Sequence, residues 1–215
     1  MAPPEVVTTK PCPLVPAFKE RPILFSAPMV RALLDGTKTQ TRRVVKPPRG
    51  YRWLDLAAGT MVNTGGHKMH RSDLTAPYGQ LGDRLWVRET WRHRGIGEDG
   101  RAERGGYVYR ATENVDGSAE RWIPSIHMLR AASRIDLEVT GVRVERLQDI
   151  SEADARAEGA RECDPVSGRE VLLAGPSQRG SFVLHYRDIW EQINGAESWA
   201  ANPWVWVVTF GRLVK

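Results

Sequence analysis

Residues 134–147 read RIDLEVTGVRVERL. Apolar side chains alternate at Ile135, Leu137 and Val139, the alternation breaks at Gly141, and it resumes at Val142 and Val144. Strand side chains repeat with a period of two, so the break predicts one long strand carrying a bulge or bend near Gly141. A strand bent in this way is a barrel-like feature.

The flanking sequence supplies partners for it. WVWVVTF (204–210) is a run of β-formers bounded by Pro203 and Gly211, and it predicts a buried terminal strand. RLWVRETW (84–91) places Leu85 and Val87 on one face and Trp86 and Arg88 on the other. GGYVYRA (105–111) and Ile23–Phe25 are further short strands, whereas residues 49–80 mix polar residues and glycines without a period and predict irregular hairpins.

Helices punctuate this pattern. Ser26 caps Ala27–Asp35, with Pro28 in the first turn and Gly36 ending it. Ser151 and Asp154 start a helix over EADARAE that Gly159 ends. Phe182, Tyr186, Ile189 and Ile193 share one face of a helix closed by Asn194 and Gly195, after a loop over 160–180. Short strands with few helices and no βαβ alternation predict an α+β fold, a small mixed β-barrel with flanking helices.

The chain has 215 residues, and six of its 14 prolines fall in residues 1–22. This divides it into a proline-rich arm over 1–20 and one domain over 21–215. The net charge of +5 points weakly to a polyanionic partner. Cys12 and Cys163 make neither a disulfide framework nor a CxxC knuckle. With no membrane-length apolar run and no basic, apolar leader, the expectation is a soluble protein of a reducing cytoplasm.

Two groups of residues carry candidate chemistry. Trp86, Trp91 and Trp122 lie close to Arg88, Arg92, Arg94 and Arg121, a pairing suited to base stacking and phosphate contact, while Trp190, Trp204 and Trp206 read as core. The second group is GTKTQTRR (36–43), which sets Lys38 and Thr41 against Arg42 and Arg43. A threonine inside the chain needs a base to become a nucleophile, and a buried lysine beside two arginines is pushed toward its neutral form. The i, i+3 spacing of Lys38 and Thr41 requires a turn or bulge to bring them together. His67 and His70 in HKMH lack further metal ligands nearby, and His93 and His127 stand alone, so no metal site is expected.

ILFSAPMVRALLDGTKTQTRRV, YGQLGDRLWVRETW, WIPSIHM, EVTGVRVERLQDISEADARAEG and WVWVVTF together resemble phage and prophage proteins of the ASCH family, over about residues 21–215. The resemblance implies a PUA-like β-barrel, related to RNA-binding PUA and modified-base-reading EVE domains. Some bacterial ASCH members are N4-acetylcytidine amidohydrolases, which implies a metal-free and cofactor-free site working in a bacterial host's cytoplasm. Matched residue by residue, their lysine, threonine and glutamate fall on Lys38, Thr41 and Glu158. This chain is about twice the size of those compact enzymes, and it has Leu129 and Ala131 where similar phage sequences carry proline and tryptophan.

Glu158 also stands out physically, because a carboxylate in the last turn of a helix faces the negative end of the macrodipole. The resulting expectation is a protein that recognises RNA, DNA or a modified nucleoside, with Lys38, Thr41 and Glu158 hydrolysing an N-acyl amide and with Arg42, Arg43, Arg88 and Trp91 as nucleic-acid contacts. The competing classes are a non-catalytic nucleic-acid reader, a nuclease and a phage assembly protein. A reader needs the arginines and aromatic platforms but no nucleophile.

Overall fold

A computed structural model describes residues 18–93, 106–113, 121–161 and 181–213. In chain order, β1 (Glu20–Leu24) leads into α1 (Ala27–Leu34) and β2 (Gln40–Val44). A meander follows: β3 (Tyr51–Asp55), β4 (Thr60–Asn63) and β5 (Lys68–His70). Next come β6 (Arg84–Arg88) and a two-stranded ribbon of β7 (Trp91–His93) and β8 (Tyr107–Tyr109). Then β9 (Asp136–Arg146), α2 (Glu152–Ala157), α3 (Phe182–Asn194) and β10 (Trp204–Leu213) complete the fold.

The main sheet has the order β1-β6-β9-β10-β2. β1 and β6 are parallel and every other pair is antiparallel, so the fold is α+β with a mixed sheet. Among the described residues the sheet is open, with β1 and β2 at its edges. The break near Gly141 is a bulge: Thr209 pairs with Gly141 and Phe210 with Val139, which leaves Thr140 without an opposite residue.

β10 shows why its sequence is apolar throughout. Val208 and Phe210 pack with Val30, Leu33, Leu85 and Leu137 on the α1 side. Val205 and Val207 pack with Ala155, Tyr186 and Trp190 on the α2 and α3 side. A strand covered on both faces loses the polar half of its alternation. Trp190, Trp204 and Trp206 are all buried. No described helix is long and apolar enough to cross a membrane.

The irregular hairpins expected over 49–80 form a three-stranded antiparallel meander from Tyr51 to His70, with a register shift between Trp53 and Asp55. His67 Nδ1 meets the Tyr51 hydroxyl at 2.9 Å, and the His70 side chain caps the turn Arg71–Asp73, so both histidines are tied into it. Among the described residues no group of three or more His, Cys, Asp or Glu is placed to hold a metal ion.

The domain edge also lies earlier than Arg21. Lys19 N donates to Asp83 Oδ1 at 2.8 Å, Glu20 pairs with Arg84 in the parallel ladder, and Glu20 Oε2 accepts from Arg130. Residues 1–17 of the expected arm lie outside the described residues. A chain starting at Arg21 should therefore melt a few degrees below one starting at Phe18, since it lacks one ladder residue and the Lys19–Asp83 bond. Paired thermal melts measure this, and equal midpoints would show that Lys19 and Glu20 contribute nothing.

Candidate functional site

Register decides which way each side chain of the basic run points. Thr41 lies opposite Val208 and Arg43 opposite Trp206, so both point to the α1 side of the sheet. Gln40, Arg42 and Val44 lie opposite Thr209, Val207 and Val205, which sends them toward α2 and α3.

The entry to β2 is held from both flanks. Phe210 N donates to Thr39 O from the β10 side, while Thr39 N donates to Ala157 O at 2.8 Å on the other side. Lys38 forms an isolated antiparallel bridge with Glu158, so the end of α2 stands where a neighbouring strand would be. From Thr41 onward no strand covers that flank among the described residues.

Gly159 makes this approach feasible. Its φ is +87°, and a Cβ there would sit 3.1 Å from Ala32 Cβ and 3.4 Å from Lys38 Cβ. A glycine is thus required both for the left-handed turn after α2 and for contact with α1 and Lys38.

Lys38 is buried, and its ammonium donates to Gln40 O at 2.8 Å, Glu158 O at 2.8 Å and Glu158 Oε2 at 2.7 Å. All three of its protons are used. Burial lowers the Lys38 pKa, the Glu158 carboxylate opposes that, and Arg43 and Arg42 add to the lowering. Glu158 Oε1 faces Arg42 Nη1 at 3.4 Å.

Arg42 is buried among acids. It pairs with Glu145 and, at 3.1 Å, with Asp154, and it donates to Gln40 Oε1. Burial alone would raise the Asp154 pKa, yet the Gln40 bond and the charges of Arg42 and Arg143 hold it below its ordinary value. Arg42 therefore braces the site and is not presented to a phosphate.

Arg43 differs. Its Nη2 donates to Leu24 O at 2.6 Å, its Nε has no hydrogen-bond partner among the described residues, and no described carboxylate pairs with it. The guanidinium lies 5.5 Å from the Phe25 ring, and Lys38 Nζ lies 5.6 Å from the same ring.

A cavity of about 260 Å³ opens along the uncovered flank of β2. Thr41, Arg43 and Glu158 line it, and Tyr186 and Trp190 of α3 form the facing wall. Lys46 lies at its margin, exposed and without an ion pair among the described residues. The Thr41 side chain is buried in the protein wall, and its hydroxyl makes no hydrogen bond to another described residue. Thr41, Glu158 and Arg43 thus share one cavity, and Lys38 joins it through its bond to Glu158.

The other expected contacts lie elsewhere. Arg88 Nε donates to Met128 O, and its guanidinium stacks 4.8 Å from the Trp86 ring. Trp91 is only 2% exposed, packed with Met128 and Ala132 and ringed by His93 and Tyr107. A buried indole offers no stacking platform, so Trp86 is the tryptophan that accompanies Arg88 on this face.

The α3 wall is not among the site residues expected from sequence, which places Phe182, Tyr186, Ile189 and Ile193 on one helix face without assigning them a role. Ile193 is 53% exposed, and the buried pair is Tyr186 and Trp190. The available signal was Tyr186 itself, since a phenol in an aliphatic stripe needs a partner for its hydroxyl. Compared with known proteins, the chain matches no family model, no curated protein and no solved structure.

Proposed function

We propose that this chain is an ASCH-type protein whose cavity takes a nucleobase bearing an N-acyl group and hydrolyses that amide. The observation that carries the reading is the convergence of Thr41, Glu158 and Arg43 on one cavity, with Lys38 hydrogen-bonded to Glu158 at 2.7 Å. The proposal includes a PUA-like barrel. Its support is the Arg43–Leu24 bond, which brings the two edge strands within one side chain of each other.

Thr41 Oγ1 attacks the acyl carbon, its proton passes to Lys38 Nζ, and the new C–O bond gives a tetrahedral oxyanion. Collapse breaks the C–N bond, Glu158 protonates the departing nitrogen, and the acyl group remains as an ester on Thr41. Water then attacks this ester, releasing a carboxylic acid and restoring the threonine.

Both proton roles follow from one transfer. Moving a proton from Lys38 Nζ to Glu158 Oε2 turns an ion pair into a neutral amine and a neutral acid, the state in which one is a base and the other a proton donor. Burial of Lys38 eases the loss of its proton, the Glu158 charge opposes it, and the charges of Arg43 and Arg42 add to the easing.

One observation favours the non-catalytic reader: the Lys38 ammonium has all three protons bonded, as a structural ion pair does. Mass spectrometry of acylated nucleosides incubated with the protein separates the two. The amidohydrolase yields the free exocyclic amine and a carboxylic acid, and the reader returns every nucleoside unchanged.

Both readings place a nucleic acid or nucleotide phosphate by Arg43 and Lys46, the cavity cations without a described carboxylate partner. An Arg43→Ala, Lys46→Ala variant should bind a single-stranded oligonucleotide with a log–log salt slope shallower by roughly 1. Filter binding across a salt series measures it. An unchanged slope would move phosphate contact to the face carrying Arg88 and Trp86.

A further inference from the structure

We infer that the Tyr186 hydroxyl donates to the acyl oxygen of the ligand, so that α3 sets a preference for acyl over alkyl substituents on the base. The inference rests on the reading of this cavity as an N-acyl nucleobase site. It adds a residue and a selectivity to that reading.

Tyr186 is 3% exposed, and its ring is clamped on several sides. Trp190, one turn along α3, lies 6.3 Å away, Trp199 meets the ring edge-on at 6.2 Å, and the Arg42 guanidinium is 5.9 Å from the centroid. The side chain lines the cavity, yet its hydroxyl makes no hydrogen bond to another described residue. The Tyr186 oxygen is not among the fully buried side-chain atoms without a partner, so its O–H is open to the cavity, and the clamped ring fixes where that donor sits.

The chemistry of that donor is well defined. Burial and the nearby Glu158 charge push the Tyr186 pKa well above 10, with Arg42 and Arg43 pulling back, so the group stays protonated at any working pH. A neutral donor serves a carbonyl oxygen and serves it better as negative charge develops there. It gains nothing from an alkyl group, which has no acceptor.

The test compares N4-acetylcytidine with N4-ethylcytidine by titration calorimetry, in a Thr41→Ala background that removes turnover. The acetyl compound should bind about tenfold tighter, and adding Tyr186→Phe should abolish that preference while the melting temperature holds. Trp190→Phe, which alters the packing but keeps the hydroxyl, should retain the preference. A preference that survives Tyr186→Phe overturns the inference, as does its equal loss in Trp190→Phe or a Tyr186→Phe chain that does not fold. If the wild type hydrolyses N4-acetylcytidine and the preference survives, the Tyr186 role alone fails. Absence of binding by both nucleosides defeats the cavity reading together with it. Tyr186-dependent preference without wild-type turnover leaves the inference standing and removes the hydrolysis.

Discussion

Glu158→Ala should lower the thermal midpoint by on the order of 10 °C. The carboxylate is almost fully buried, and so are the side chains of Lys38 and Arg42 on either side of it. Removing it leaves the Lys38 ammonium with two backbone carbonyls and no counter-charge. Breaking a buried ion pair from one side costs about 3–5 kcal/mol, and about 2–4 °C accompany each kcal/mol in a chain of this size. Arg42 keeps Glu145 and Asp154, which limits the loss. A Lys38→Met, Glu158→Leu double variant should recover most of the midpoint, because it removes both charges and fills the space. Calorimetric scans of the three chains measure this, and a drop below about 3 °C for Glu158→Ala would mean that water reaches the pair.

The second large effect is on turnover. Thr41→Ala should slow N-acyl hydrolysis by at least about 10³-fold, as loss of a nucleophile does, with little change in melting temperature. The fold tolerates it because the hydroxyl bonds no described residue and the backbone pairing of Thr41 with Val208 is unaffected. Thr41→Ser keeps a hydroxyl and should retain measurable activity. Initial rates by mass spectrometry decide the matter: a Thr41→Ala rate within tenfold of wild type would show that Thr41 is not the nucleophile.

Local signals in the sequence carried far. The hydroxyl of Ser151 accepts from Asp154 N, Gly159 ends α2 with positive φ, and the broken alternation at Gly141 became a bulge, because capping, turn chemistry and strand period act within a few residues. Arg42 shows what sequence order hides. Its acidic partners Glu145 and Asp154 are 103 and 112 residues away, and nothing near Arg42 says that its charge is already spoken for. Trp91, expected as a nucleic-acid contact, is hidden for a related reason: its burial comes from Met128 and Ala132, brought in by a distant segment. The cavity was invisible because it is a gap between α3 and the last strand of the sheet, and a gap has no residues of its own.

The Lys38–Glu158 bond spans 120 positions of chain. In folding terms, the site is closed by one of the long loops of the topology, and its entropy of closure grows only with the logarithm of loop length, about 0.6 kcal/mol per doubling. Lengthening the intervening segments thus costs little at equilibrium, while folding slows as distant contacts come to dominate. Pairing of β2 with β10 and the meeting of Lys38 with Glu158 are both long-range contacts, so the cavity and the completed sheet depend on closing loops of similar scale.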